Sequence, residues 1–454
     1  MAAGSSGRSA ALFLAAVLVP ACGGGGGSGD GGAGGPPVVT ALYPLGAPTG
    51  GKFRVTGAEL AGVSGVDIGG VSCAFTLEGP TSLVATVPAT ADTGPVTVTA
   101  SMGTASSPSV FRVVTPAKVD AALQVHAANS GTGLVLLYEF PGEPTLVVHE
   151  SYQSGSAGTS RLVASATKTL NGILLAAALD DGIVLDLDEK VSDYITEWKS
   201  DPLKAQVTLD HLLTLSSGLE SGGELKGMNF ADAILLPLSA ATAANGVGTD
   251  FVYGADPFQV FGLYLIRRMG LQPNPVALGT TQAATFEYDD PILPMCMSYL
   301  KQRVNSHPGV WRWAGIGTAP NQQDPGMGGG ARFTTMEFAR MGQFLMNRGA
   351  QTHGGTQIIS PSFVDWISTP SPYADPTPAH ALCAYGRGAW IGYGGQSPPS
   401  GVPPVSLYSA AGAGKNMSWV LPAFRMAVGR NALVPAGATL DEHAFFVALG
   451  LTDP

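Results

Sequence analysis

The chain has 454 residues, 45 % of them apolar and 12 % charged, with a formal net charge of −10. That length allows two or three domains with large cores, and an acidic chain without a Lys/Arg block argues against nucleic acid as a partner. The four cysteines (Cys22, Cys73, Cys296 and Cys383) form no Cys-x-x-Cys and the seven histidines are dispersed, so no structural zinc site is expected.

At the N-terminus Arg8 precedes an apolar stretch, Ala10 to Pro20, and then Ala21-Cys22. A basic start, a short apolar core and a small residue have the layout of a signal peptide over residues 1–22, and the run is too short to span a bilayer comfortably. Leu18-Val19-Pro20-Ala21-Cys22 resembles the lipobox of bacterial lipoproteins, with Pro20 departing from the usual small or aliphatic residue. The resemblance implies lipidation of Cys22, a membrane partner through that anchor, and a cell-envelope location facing the periplasm or exterior. The alternative is an ordinary secretory peptide with a chance cysteine. In such an oxidising compartment Cys296 and Cys383 could pair. Residues 23–37 are almost entirely Gly with Ser, Asp and Pro, a composition that cannot bury enough surface to fold and behaves as a flexible tether.

Residues 38–115 carry short alternating runs: Lys52 to Thr56, Gly65 to Ile68, Ser82 to Val87 and Pro95 to Ala100, separated by Gly/Pro/Ser turns. The pattern predicts a small β-sandwich. Thr40-Ala41-Leu42-Tyr43-Pro44, Gly50-Gly51, Val55-Thr56-Gly57, Gly69-Gly70-Val71-Ser72-Cys73 and Ser109 to Val114 resemble, in that order, an IPT/TIG-type immunoglobulin-like domain. Such domains act as spacers or as binding modules.

Residues 116–454 read as a larger α+β unit. A helix is predicted over Val119 to Ala128, and strands over Leu134 to Phe140 and Thr145 to Tyr152. A helix follows from Ser165 to Leu179, with Leu170, Ile173, Leu174, Ala177 and Ala178 on one side, stopped by Asp181-Gly182. Further helices fit Thr335 to Arg348 and Leu440 to Leu449. Strands fit Val405 to Ala410, Ser418 to Leu421 and Arg425 to Val428. Strands at both ends with helices between imply one antiparallel sheet completed by the C-terminus.

The chemistry centres on Ser165-Ala166-Thr167-Lys168. Ser-x-x-Lys at a helix start places a hydroxyl and an amine one turn apart on one face, which activates a serine without histidine if burial lowers the lysine pKa. The chain has nine lysines, so a lysine at this spacing is informative. The helix N-terminus also favours developing negative charge. Gly414-Lys415 does not make a phosphate loop, there is no Gly-x-Ser-x-Gly elbow, no βαβ pattern surrounds Gly326 to Gly330, and His211 reads as structural.

Several landmarks occur in order: His149-Glu150-Ser151-Tyr152, Val163 to Lys168, Leu179 to Asp186, Val207 to Thr214, Phe251-Val252-Tyr253, Gly328 to Thr335 with Phe338 to Gly342, and Ile358 to Pro361. With these, residues 145–452 resemble the serine β-lactamase-related hydrolases: class C β-lactamases, D,D-peptidases, esterases and 6-aminohexanoate-dimer hydrolase-like enzymes. The resemblance implies a β-lactamase/transpeptidase-like fold with a helical subdomain. It implies acyl transfer from a small ester, amide or peptide without a cofactor, with Ser165 as nucleophile, Lys168 as base and Tyr253 as proton relay. The family's Tyr-x-Asn/Ser element reads Tyr253-Gly254-Ala255, a loss that esterases tolerate and that argues against β-lactam turnover. Its last motif, Lys/His-x-Gly, is best matched by Ala413-Gly414-Lys415, implying oxyanion or substrate contacts there, with Lys415 either a carboxylate ligand or a turn lysine. A D,D-peptidase or weak β-lactamase is one alternative; a non-catalytic surface binding protein on the same fold is another, supported by Ala255 and Ala413.

Overall fold

The alternating strands after residue 37 close into two antiparallel-type sheets packed face to face. The computed structural model describes residues 35–220, 233–270, 312–313, 326–371, 384–392, 407–433 and 440–453. The first sheet has the order β1-β3-β7-β6, from β1 (Val38–Tyr43), β3 (Lys52–Ala58), β7 (Ser82–Thr86) and β6 (Phe75–Gly79). The second, β2-β9-β8-β4-β5, uses β2 (Gly46–Pro48), β9 (Gly103–Val114), β8 (Gly94–Ala100), β4 (Val63–Ile68) and β5 (Val71–Ser72), with β2 pairing parallel to β9. Inward positions alternate as a half-buried sheet requires: Phe53, Val55, Val96, Val98 and Phe111 are all fully buried, and the rings of Phe53 and Phe111 lie 4.4 Å apart. Cys73 is a buried free thiol here; Cys22, Cys296 and Cys383 lie outside the described residues.

Helix α1 (Pro116–Ala128) starts earlier than its apolar periodicity suggests, because Thr115 caps it, accepting from the Lys118 N–H, and Pro116 sits where its missing N–H costs nothing. The main sheet then forms in the order β11-β10-β19-β18-β17-β16-β15, antiparallel throughout. Its first strands are β10 (Gly131–Tyr138) and β11 (Leu146–Tyr152). A small second sheet joins β12 (Arg161–Leu162), β14 (Ala331–Phe333) and β13 (Arg312–Trp313). Helix α2 (Thr167–Asp180) follows β12. Helices α3 (Leu209–Leu213), α4 (Ala240–Asn245) and α5 (Asp256–Arg268) belong to the helical subdomain. Helix α6 (Thr335–Met346), held by a Thr334/Glu337 capping box, lies across the sheet, and α7 (Pro361–Asp365) precedes β15 (Ala384–Tyr385) and β16 (Trp390–Ile391). The last strands β17 (Tyr408–Gly412), β18 (Asn416–Leu421) and β19 (Met426–Ala432) return the chain beside β10, and α8 (Glu442–Ala448) ends it. The predicted one-sided face of α2 understates its setting: every residue from Thr167 to Leu179 is buried.

A sandwich read as a spacer would share little surface with its neighbour. Here the two units share one apolar core, in which Phe53, Phe111 and Val113 of the sandwich join Leu136 and Tyr138 of β10, Trp419 of β18 and Phe445 of α8. Polar ties cross the same boundary: Leu45 N–H donates to Ala423 O at 2.8 Å, Tyr138 Oη to Lys52 O, and Arg112 pairs with Asp453 at 2.9 Å. Residues 36–454 form one compact unit. Such a core couples the stability of both parts. Scanning calorimetry of this unit is expected to give one unfolding transition, with a midpoint lowered by Tyr138→Phe through loss of a buried hydrogen bond of about 1 kcal/mol. Two separate transitions would show that the sandwich folds independently.

Candidate active site

Ser165 sits in a single 3-10 turn, Ala164–Ala166, directly before α2. Ala164 holds a left-handed φ of 48°, sparsely populated for an L-residue with a side chain. The turn is pinned by Thr167, whose hydroxyl donates to Ala164 O (2.6 Å) and accepts from Ala331 N–H of β14 (3.0 Å). Lys168, the second residue of α2, therefore points back over Ser165. Its Nζ donates to Ser165 Oγ at 2.9 Å and to Gly328 O at 2.9 Å.

The loop bearing Gly328 is latched from both sides. Asn171 Nδ2 donates to Met327 O (2.6 Å), and Met327 N–H donates to Gln259 Oε1 of α5 (3.1 Å). A Cβ on Gly328 would lie 2.4 Å from Ala255 Cβ, so the loop fits because position 328 is glycine and position 255 is small. Beside Ala255, the partner that Lys168 has is a backbone carbonyl 160 residues away in sequence, Gly328 O. Spacing alone gave no sign of this.

Lys168 is 2 % exposed, with the rings of Tyr253 and Phe258 4.9 and 5.7 Å from Nζ. Burial pushes its pKa down to about 7, while the buried carboxylate of Asp256, the first residue of α5, pulls the other way. Tyr253 stacks on Trp390 with ring centroids 5.5 Å apart, beside the Lys168 amine. Tyr253 as a whole is 41 % exposed. Desolvation raises its pKa, opposed by the neighbouring Ser165 and Trp390 side chains. Ser165, Lys168 and Tyr253 are thus brought together.

The hairpin of β15 and β16 clasps the same helix. Thr169 Oγ1 of α2 donates to Gly388 O at 2.7 Å, and a Cβ on Gly388 (φ 90°) would fall 2.2 Å from Lys168 O. Arg387 pairs with Asp210 of α3 at 2.7 Å, both side chains nearly buried, which accounts for the Leu209-Asp210-His211 landmark. The clasp sets Tyr385 and Trp390 against Tyr253. Sequence reasoning overlooked both; aromatics bracketing Gly386 and Gly388 were the available signal.

Strand β17 passes Ser165 at Gly412, where a Cβ would lie 1.9 Å from Val163 O and 3.2 Å from Ala166 N. The match to Ala413-Gly414-Lys415 is displaced accordingly: Gly412 makes the close approach and Ala413 follows it. Gly414 and Lys415 turn away, their carbonyls accepting from the fully buried Arg430, and Lys415 Nζ pairs with Glu442 Oε1 of α8 at 3.1 Å. Of the two roles considered for Lys415, this geometry is that of a turn lysine.

A seven-stranded antiparallel sheet with a Ser-x-x-Lys helix entering beneath it defines the β-lactamase/transpeptidase-like class. The Beta-lactamase family model matches residues 147–428 and the IPT/TIG domain model residues 37–113. Among solved structures, a proposed beta-lactamase from Bacteroides dorei is 16 % identical, covering 74 % of this chain and 96 % of its own, at a TM-score of 0.53. A penicillin binding protein from Bacillus halodurans (16 %, 72 % and 98 %, 0.48) and a D-stereospecific amidohydrolase from Streptomyces (14 %, 72 % and 97 %, 0.47) also align. A search of curated protein sequences returns no significant match. The chain belongs to the Beta-lactamase family and carries an IPT/TIG domain before it.

The pKa of Lys168 fixes the sign of a pH dependence. Only a neutral amine has a lone pair for a proton, so the fraction of Lys168 able to act as a base falls as pH drops through about 7 and is complete above it. The second-order rate of Ser165 phosphonylation by a fluorophosphonate is expected to follow that curve. A midpoint near 10 would show that Lys168 is not desolvated.

Proposed function

We propose that this chain is a serine hydrolase that forms an acyl-enzyme on an ester or small amide. The observation that carries the reading is the buried Lys168 amine 2.9 Å from Ser165 Oγ. Neutral Lys168 takes the hydroxyl proton as Oγ attacks the substrate carbonyl. The resulting oxyanion is held by backbone N–H groups of Ser165 and of Ala413, beside the close approach of Gly412. Tyr253, whose ring lies 4.9 Å from Lys168 Nζ, relays the proton from Lys168 to the leaving group. Water then attacks the acyl-enzyme, with Lys168 and Tyr253 acting in the reverse sense.

Ala255 packed on Gly328 favours esters and simple amides over β-lactams, because no side-chain amide stands at that position to hold a substrate's amide. We further propose that the enzyme acts outside the cytoplasm, lipidated at Cys22 and tethered by residues 23–37; this rests on the residues of the N-terminus.

Intact mass after fluorophosphonate treatment of the chain lacking residues 1–37 is expected to show one adduct, absent from Ser165→Ala. Lys168→Met is expected to lower kcat on a reactive ester by roughly 10²–10⁴-fold. Hydrolysis that persists unchanged in Ser165→Ala would refute the mechanism, and a stable benzylpenicillin adduct would shift the substrate class to cell-wall peptides.

A further inference from the structure

Behind the turn that follows Gly412 lie two fully buried polar side chains that take no part in the proton transfers, Asn416 and Arg430. Asn416 Nδ2 donates to Ala413 O at 2.8 Å, and its Oδ1 accepts from Ala432 N–H of β19 at 2.9 Å. Arg430, also of β19, takes the next two carbonyls: Nη1 donates to Gly414 O at 3.3 Å and to Lys415 O. Its other donors are anchored on the α1 side, Nη2 to Asn129 O at 2.6 Å and Nε to His126 Nδ1 at 3.1 Å. Burial lowers the guanidinium pKa to about 10 and the Glu442 carboxylate raises it, so Arg430 stays charged at neutral pH. A buried cation is costly unless its donors are satisfied; here they are satisfied by main chain. That main chain needs holding. Gly414 and Lys415 both sit in the left-handed region, φ 74° and 58°, and position 415 is not glycine. A trans peptide carries its C=O and N–H on opposite sides, so drawing the carbonyls of 413 to 415 toward β18 and β19 fixes the rotation of the peptide planes that leave Ala413. Immediately before them Gly412 makes its close approach to Val163 O and Ala166 N of the nucleophile turn.

We propose that Arg430 is a positioning residue for the oxyanion site: by clamping the carbonyls of Gly414 and Lys415 from behind, it holds Ala413 N–H where charge develops on the substrate carbonyl oxygen. It acts through the backbone and does not touch substrate. The inference rests on the reading of Ser165 as nucleophile and of Ala413 N–H as an oxyanion donor.

The test compares the wild type with Arg430→Gln and Arg430→Lys on p-nitrophenyl acetate, and in binding phenylboronic acid, which forms a tetrahedral, anionic adduct with a serine hydroxyl. Displacing an oxyanion donor without deleting it is expected to lower kcat of Arg430→Gln by about 10- to 100-fold. KM is expected to change little, and boronate affinity to fall by the same factor as kcat/KM. The pH midpoint near 7 set by Lys168 is expected to stay in place. Arg430→Lys keeps the charge but cannot bridge two carbonyls, and is expected to fall between Gln and the wild type. Should Gln leave no folded protein by circular dichroism, the same readings on Arg430→Lys decide. A kcat at the wild-type level overturns the inference. So does a loss that moves the pH midpoint or spares boronate affinity, since either marks general loosening of the cleft. No fluorophosphonate adduct on the wild type would refute the nucleophile reading and this inference with it; an adduct on the wild type, with Arg430→Gln turning over at the wild-type rate, refutes the clamp alone.

Discussion

The burial of one ammonium group organises this molecule. Moving a lysine pKa from its usual 10.5 to about 7 corresponds to a penalty on the order of 5 kcal/mol against holding the charge. A neutral amine has two N–H donors and one lone pair. The contacts around Nζ fit that inventory, with Gly328 O as acceptor and Ser165 Oγ as the group that can return a proton. Maintaining the site means keeping water out, and α2 achieves this by being buried along nearly its whole length. The strained Ala164, the latched loop at Gly328 and the hairpin clasp all hold Lys168 in that dry position.

The far face of the sheet contributes as well. Glu442 of α8 accepts from Trp419 Nε1 at 2.7 Å and from Lys415, while Arg430 holds the carbonyls at the end of β17 and donates to His126 Nδ1 of α1. The turn following Gly412 is thus fastened to two helices that pack in the core shared with the sandwich. Tertiary contact, more than the local glycine-rich sequence, fixes where β17 ends beside Ser165.

Much of this architecture is written locally. Turn residues and period-2 alternation in residues 38–115 specify the sandwich, and the Ser165–Lys168 spacing survives intact because one helical turn is a local geometry. What escaped sequence reading is non-local. Asp256 and Gly328 meet Lys168 through folding. The Ala413 to Lys415 match slid along the strand because three glycine- and alanine-rich registers look alike until Val163 O selects Gly412. Tyr385 and Trp390 carry no periodicity that marks them as neighbours of Tyr253, and the helical face of α2 looked one-sided because periodicity reports preference, not the number of neighbours.

The clasp between β15–β16 and α2 divides this region into two kinds of position. Gly388, Gly386 and Gly172 admit no side chain, since backbone oxygens stand 2.1–2.4 Å from where a Cβ would go. The aromatic residues of the same hairpin, Tyr385 and Trp390, pack instead on one another and on Tyr253. Substitution is therefore bounded by ring packing at the aromatic positions and prohibited at the glycines, where any side chain would drive the hairpin off α2.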